Sequence, residues 1–368
     1  MTHKLAIWIL LLMLMTSLAS SSGPGFYHVQ GKTIFNQSGK PFRIRGIGLG
    51  DLHSFTEDDF RGSARLGFNT ISLLLDWSSF YSQETPYTYE QEAWSRVDQA
   101  IALARHYKLG LILQMCGSEG AQFIPLKRAP FDFRIWNDGE LQKRFLALWH
   151  AIAARYSTES QLIGYGLFCE PVTSGPIGQW QQLAQRAVDT IRQVDRSHIL
   201  FVERAYGEHE TRRELSGIDY APDESFPTIK DNNFVYQFYF FERDEYTHQF
   251  APWRPDVQKA VKYPDPNWRI TYKEKGAKPR TFLFDKHYLD FYLRRHTEFA
   301  KRHNAPLLIW AFGQMKRCFD GQGGDRWLRD VTSIFEQQGV HWSYSDFRDD
   351  AFGISDVPAA QQILTRQL

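Results

Sequence analysis

The chain has 368 residues, with 43 Lys and Arg against 42 Asp and Glu, a formal net charge of +1, and 43% hydrophobic residues. Such a length buries a sizeable core in one large domain or two ordinary ones. The balanced charge gives no electrostatic reason to expect nucleic acid or an anionic membrane as partner. Aromatic residues are abundant, with 11 Trp, 17 Tyr and 28 Phe. Many must enter the core, and ligand clefts also use such rings as apolar lining, for sugars as flat platforms.

At the N-terminus, Thr2, His3 and Lys4 precede an apolar run over residues 5–15, followed by the small residues Ser17, Ala19, Ser20, Ser21, Ser22 and Gly23. This is the pattern of a secretory signal peptide, placed at residues 1–20 with the remaining domain at 21–368. The run is short for a membrane-spanning helix, and no cysteine follows it to carry a lipid. An uncleaved anchor is the competing reading. The expected location is outside the cell or in the periplasm, with no membrane span after cleavage. The three cysteines, Cys116, Cys169 and Cys318, make no disulfide framework. One pair plus a free thiol is one arrangement open to an exported chain.

In chain order, residues 42–50 read as a strand ending in glycine-rich turn chemistry. A helix follows with Thr56 as its N-cap and acidic residues in its first turn. Strand two is read at 68–77, strand three at 109–117, strand four at 162–170 and strand five at 198–203. Strands six, seven and eight are read at 233–241, 305–313 and 340–347. Helices are expected around 91–107, 139–155 and 178–193. Another precedes strand seven, where Asp285 is its cap and Tyr288, Leu289, Tyr292, Leu293 and Phe299 recur at helical spacing.

Eight strand–helix units without a linker predict an α/β fold, a single-domain (β/α)8 TIM barrel with its ligand site at the C-terminal ends of the strands. The near-continuous apolar strands fit parallel pairing, which covers both faces. A doubly wound sheet is the rival, but "GIGLGDLH" (46–53) is a poor match to a phosphate-binding loop. The segment 242–284 is long for one connection and carries Trp253, Tyr263, Trp268 and Tyr272; it is expected to wall the cleft.

Strand four ends in "LIGYGLFCEP", where an apolar run stops at Glu170, and strand seven ends in "LLIWAFG". With "FRIRGIGLG", "LGFNTISLLLDW", "NFVYQFYFFERDEYTHQFAPW" and "GGDRWLRDVTSIFEQQGVHWSYSDFRD", these stretches resemble glycoside hydrolase family 5, the cellulase-like retaining enzymes. The resemblance runs from strand one to strand eight. It implies an acid/base glutamate in an Asn-Glu-Pro motif, which Glu170 matches, and a nucleophile in a Glu-Phe-Gly motif, where this chain has Ala311. Retaining hydrolysis needs two carboxyl groups about 5–5.5 Å apart, and a methyl group supplies neither charge nor nucleophile.

Other family positions differ as well. The family's strand-two arginine falls at Ser72, its strand-three histidine at Cys116, and the asparagine before the acid/base at Cys169. The strand-six histidine and following tyrosine fall at Tyr239 and Phe241, and a subsite tryptophan falls at Ser345. The residues expected to face a polysaccharide or oligosaccharide are therefore Cys116, Cys169, Tyr239, Phe241, Trp310 and Trp342, around Glu170.

Several alternatives stay open. Glu203, ending strand five, and Asp320, Glu119 and Asp346, near the mouth, are candidate replacement carboxylates. Inverting hydrolysis tolerates a gap of roughly 6.5–9.5 Å. Cys116 and Cys169 are read as buried thiols, as a disulfide, or, remotely, as part of a metal site that would need more N or S ligands. "THQ" at 247–249 places His248 near the cleft. The leading expectation is an exported carbohydrate-binding protein that has lost retaining hydrolysis, with no metal or other cofactor. The second is an active β-glycan hydrolase using Glu170 as acid/base with a relocated second carboxylate. The third is a thiol- or metal-dependent activity at Cys116 and Cys169.

Overall fold

The computed structural model describes residues 25–81, 87–121, 132–173, 178–207, 218–219, 221–274 and 276–368. The expected signal peptide lies outside these residues. Eight parallel strands close a barrel: β1 (Arg45–Asp51), β2 (Thr70–Leu75), β3 (Gly110–Met115), β4 (Leu162–Gly166), β5 (Ile199–Glu203), β6 (Phe234–Phe240), β7 (Leu307–Phe312) and β8 (His341–Tyr344). They follow one another around the barrel in chain order, β8 pairing with β1. Seven lie within the runs read from the sequence, and β1 extends one residue beyond its run, to Asp51. The runs form strands because one face of each packs into the barrel while the other meets helices. On β2, Ile71, Leu73 and Leu75 join the outer core, whereas Leu74 packs with the inner cluster.

Among the described residues, seven helices of eight residues or more surround the barrel: α1 (Glu57–Leu66), α2 (Gln91–His106), α3 (Gly139–Tyr156), α4 (Gly178–Arg192), α5 (Lys286–Arg302), α6 (Gly324–Gln338) and α7 (Pro358–Thr365). Both cap residues read from the sequence stand at helix starts, but only Asp285 accepts helix N–H groups through its side chain. Thr56 donates its backbone N–H to Asp59 in the first turn of α1, and Asp285 accepts from the N–H groups of His287 and Tyr288 at the start of α5. Helix α1 stops at Gly67, whose φ of 94° is left-handed and suits a residue without Cβ. Among the described residues of the fifth crossover, the helix is the four-residue Pro222–Ser225.

Segment 242–284 folds into more than a cleft wall. Strands Asp265–Glu274 and Arg280–Phe284 form an antiparallel hairpin. Tyr263 and Trp268 pack on Phe284, and Tyr272 and Phe282 on Phe291 of α5. Its described aromatics thus serve mainly to seat the hairpin. His248 and Trp253 reach the rim, where both contact Phe352.

Buried tryptophans between barrel and helices fix the strand ends that carry the site. Trp149 donates to the carbonyl of Leu167 at 3.0 Å, Trp136 to Val172 at 2.7 Å and Trp180 to Glu203 at 2.8 Å. A fully buried indole needs such a partner, and here the bonds hold the backbone on both sides of Glu170. Close strand contact matters nearby: a Cβ on Gly164 would lie 1.8 Å from the carbonyl oxygen of Ile199. Gly164→Ala is therefore expected to push β4 from β5 and cost about 2 kcal/mol, as overpacking does. Denaturant unfolding measures this, and an unchanged midpoint would contradict it.

Candidate functional site

Regular pairing of β4 ends at Gly166, but the ladder continues. Leu167 N–H donates to Phe201 O at 3.0 Å, and Cys169 N–H to Met115 O at 2.8 Å. Cys169 is thereby held on the inner wall. The next residue, Glu170, adopts φ 50°. A bulky residue takes this left-handed conformation only when its surroundings impose it, a form of strain that clusters at functional sites. The Glu170 side chain is half-buried at the mouth. Burial alone pushes its carboxyl up to about 7. At neutral pH it is present both as a proton donor and as an acceptor.

Ala311, at the end of β7, is 3% exposed and pairs across the strands with Tyr239. No carboxylate occupies this position. The Tyr239 ring instead stacks on Tyr206, with centroids 4.6 Å apart and planes at 11°. The Tyr206 hydroxyl donates to Glu203 at 3.2 Å. Glu203 is wholly buried and also accepts from Gln237 Nε2 at 3.4 Å. Gln237 and Gln114 exchange amide hydrogen bonds of 3.0 and 3.1 Å below it.

Burial raises the Glu203 carboxyl well above the usual range, and the charge of Glu170 raises it further. The Trp310 indole, the backbone N–H of Glu170 and the Tyr206 hydroxyl act in the opposite direction, although the indole N–H completes no well-formed hydrogen bond. Glu203 is a second carboxyl beside Glu170, sealed under two tyrosines and biased towards its neutral form.

The sequence profile of cellulase (glycosyl hydrolase family 5) matches residues 35–350. The chain belongs to glycosyl hydrolase family 5. It is 26% identical over 325 residues to endoglucanase C of Acetivibrio thermocellus, spanning 84% of this chain and 89% of that protein. It is also 26% identical over 314 residues to cellodextrinase A of Ruminococcus flavefaciens, spanning 81% and 83%. The Cel5A structure of Thermotoga maritima in complex with cellobiose shares the fold, with a TM-score of 0.67, 22% identity, and coverage of 87% of this chain and 97% of that one. The cellulose synthase subunit Z of Clostridioides difficile does so at a TM-score of 0.67 and 17% identity, covering 88% and 99%.

Among the residues expected at this family 5 site, the fold gathers Cys169, Trp310 and Ala311 in one inner cluster, with Cys116, Tyr239 and Phe241 packed against it; Glu170 directly follows Cys169 in the chain. Trp342 is not part of it, which corrects that expectation. It is fully buried, edge-on to Phe68 and Phe312, and its indole N–H donates to Glu336 of α6 at 2.8 Å. Strand alternation turns it outward while Ser343 faces in.

The supporting positions are correspondingly plain. Ser72, where the family pattern has arginine, is 3% exposed and its hydroxyl has no hydrogen-bond partner. The replacement carboxylates divide. Glu119 is paired with Arg144 at 2.9 Å, and Asp320 is exposed. Asp346 turns into the mouth above Gly48, whose missing Cβ would lie 2.0 Å from its Oδ1. Burial first, then Asp349, pushes its carboxyl up to about 7. His248 packs against Phe241 and Phe352.

All three cysteines are free thiols, so Cys116 and Cys169 form no disulfide here. Among the described residues no cluster of three or more His, Cys, Asp or Glu is arranged for a metal. None of the described helices is long and apolar enough to cross a membrane.

Three site residues escaped sequence reasoning: Tyr206, Gln114 and Gln237. The two glutamines had a signal, a lone amide inside each of the apolar runs "LILQM" and "FVYQFYF". Tyr206 had none, because it reaches Glu203 from beyond the end of β5.

Proposed function

We propose that this chain is an exported family 5 protein, with residues 1–20 as its signal peptide, that binds a β-linked polysaccharide or oligosaccharide across the barrel mouth without retaining hydrolysis. The observation that carries the reading is Ala311, buried against Tyr239 where a nucleophilic carboxylate would have to stand. Retaining chemistry uses one carboxylate to attack and another group to donate and recover a proton. Glu170 is suited only to the second task. The relatives named endoglucanase and cellodextrinase support a β-glucan as the ligand class.

In this reading the half-exposed Glu170 carboxyl hydrogen-bonds a sugar hydroxyl. Tyr239, Phe241 and Trp310 offer apolar surface to a pyranose, and Cys116 and Cys169 replace polar groups by weak thiol donors. The second reading is hydrolysis with a relocated carboxylate. Its support is the proximity of Glu203 to Glu170 and the presence of Asp346 on the opposite rim. Against it, Glu203 is sealed from substrate and biased towards its neutral form.

The test uses the mature chain on β-1,4-glucans, β-1,3-glucans and mannans. Calorimetry is expected to detect binding while reducing-end assays detect no release. Glu170→Gln should weaken binding by about tenfold, the scale of one hydrogen bond to a charged group. Turnover by the native chain that Glu170→Gln abolishes would overturn the proposal in favour of the second reading.

A further inference from the structure

Two thiols stand side by side on the inner wall of the mouth. Cys116 directly follows β3, and Cys169 lies three residues beyond β4. The hydrogen bond from Cys169 N–H to Met115 O makes Cys169 the cross-strand neighbour of Cys116. Neighbouring strands run about 4.8 Å apart, which lies inside the roughly 4.4–6.8 Å separation of disulfide-linked Cα atoms. Both side chains face the inner cluster, and Cys116 is among the neighbours that push the Cys169 thiol up, after burial. The two differ in access, Cys116 being half-buried and Cys169 only 4% exposed. Cys318 is elsewhere and unsuited to exchange. It is 0% exposed, accepts from Gln249 Nε2 and donates to Tyr246 O.

The geometry points to Cys116 and Cys169 as a dithiol pair that closes into a disulfide by exchange with a small disulfide, Cys116 acting as the entry sulfur and Cys169 as the resolving one. The half-exposed Cys116 loses its proton to solvent, and its thiolate attacks one sulfur of the small disulfide. The old S–S bond breaks, one small thiolate leaves, and a mixed disulfide remains on Cys116. Cys169 then loses its proton and attacks the Cys116 sulfur, expelling the second small thiolate. Two protein thiols are oxidised, one small disulfide is reduced to two thiols, and the two protons pass to those thiolates. Burial pushes the Cys169 thiol up, so the second step is the slow one. The new bond would tie β3 to β4 immediately before Glu170. The inference rests on the barrel register and not on the glycan reading, so either can fail alone.

The experiment treats the full chain with oxidised glutathione and follows thiol count, intact mass and peptide map. The wild type is expected to lose two of its three thiols, to fall in mass by two hydrogens, and to yield Cys116 and Cys169 peptides joined until reduction. Cys169→Ser should instead keep a glutathione adduct on Cys116. A wild-type chain that retains all its thiols, stops at a stable Cys116 adduct, or links either cysteine to Cys318 would overturn the inference. The wild-type measurement stands even if the variant folds poorly.

Discussion

Placing a carboxylate at position 311 restores no glycan turnover and destabilises the barrel by about 1–3 kcal/mol, the scale of overpacking and of a buried polar group without a partner. Ala311→Glu inserts its side chain where only 3% of the residue meets solvent and where Tyr239 is the cross-strand partner. The new group joins Glu203 and Glu170, both already pushed up by burial. A third carboxyl in the same low-dielectric pocket is therefore held protonated, and a protonated acid is no nucleophile. The arginine that the family pattern supplies on strand two is Ser72, whose buried hydroxyl has no partner and no charge to offer. The Tyr206–Tyr239 stack also occupies the space beside the new side chain. Reducing-end assays and denaturant unfolding of Ala311→Glu measure both parts. Appreciable turnover from this single substitution would mean that the other departures are chemically silent.

The barrel was legible because parallel strands covered on both faces leave apolar runs that little else produces, and because Thr56 and Asp285 mark helix starts by side-chain chemistry. The same double burial hid which face of a strand looks inward. In "HWSY" the Trp and Tyr share one face and the His and Ser the other, and hydrophobicity does not choose between two buried faces. Trp342 therefore reads as a cleft residue when it belongs beneath α6, whereas Trp310 does face the inner cluster. On β7 a register irregularity separates Ile309 from Phe312, so simple alternation does not place Ala311 either; the motif did. Tyr206 and the burial of Glu203 depend on contacts between distant parts of the chain, and no local pattern encodes them. The cysteines show the same limit, since adjacency of strands three and four was readable but the cross-strand register of Cys116 and Cys169 was not.

Removing the two raised carboxyls that face the mouth makes the protein gain stability, relative to wild type, as pH rises from 5 to 8. Glu170 is lifted from an ordinary 4.5 to about 7 and Asp346 from 3.8 to about 7, burial being the main cause of each. A carboxyl raised in the folded state binds its proton more tightly there than in the unfolded chain. Its stabilising contribution is complete below the unfolded value, declines as pH rises through the interval between the two, and is gone above about 7. Each tenfold difference in proton affinity between folded and unfolded chain corresponds to about 1.4 kcal/mol, and the full shifts are discounted here because both residues are half-buried and screened by solvent. On the order of 3 kcal/mol for the two together is the expected differential effect.

Absolute curves mix in other groups. His296 and His341 are pushed down by burial and add stability as pH rises towards their unfolded values. At Asp195 and Glu336 burial is outweighed by hydrogen bonds that hold the carboxyls down, so their contribution is lost only in acid. Glu203 continues to oppose folding above the window in which the other two carboxyls act. The double variant Glu170→Gln and Asp346→Asn leaves those groups in place, so subtracting its unfolding free energies from wild type at each pH isolates the two mouth carboxyls together with the coupling of Glu170 to Glu203. A gap that widens between pH 5 and 7 and then levels off is the expected result. Parallel curves would show that water reaches both carboxyls freely, and with that the case for a desolvated ligand site at the barrel mouth would fail.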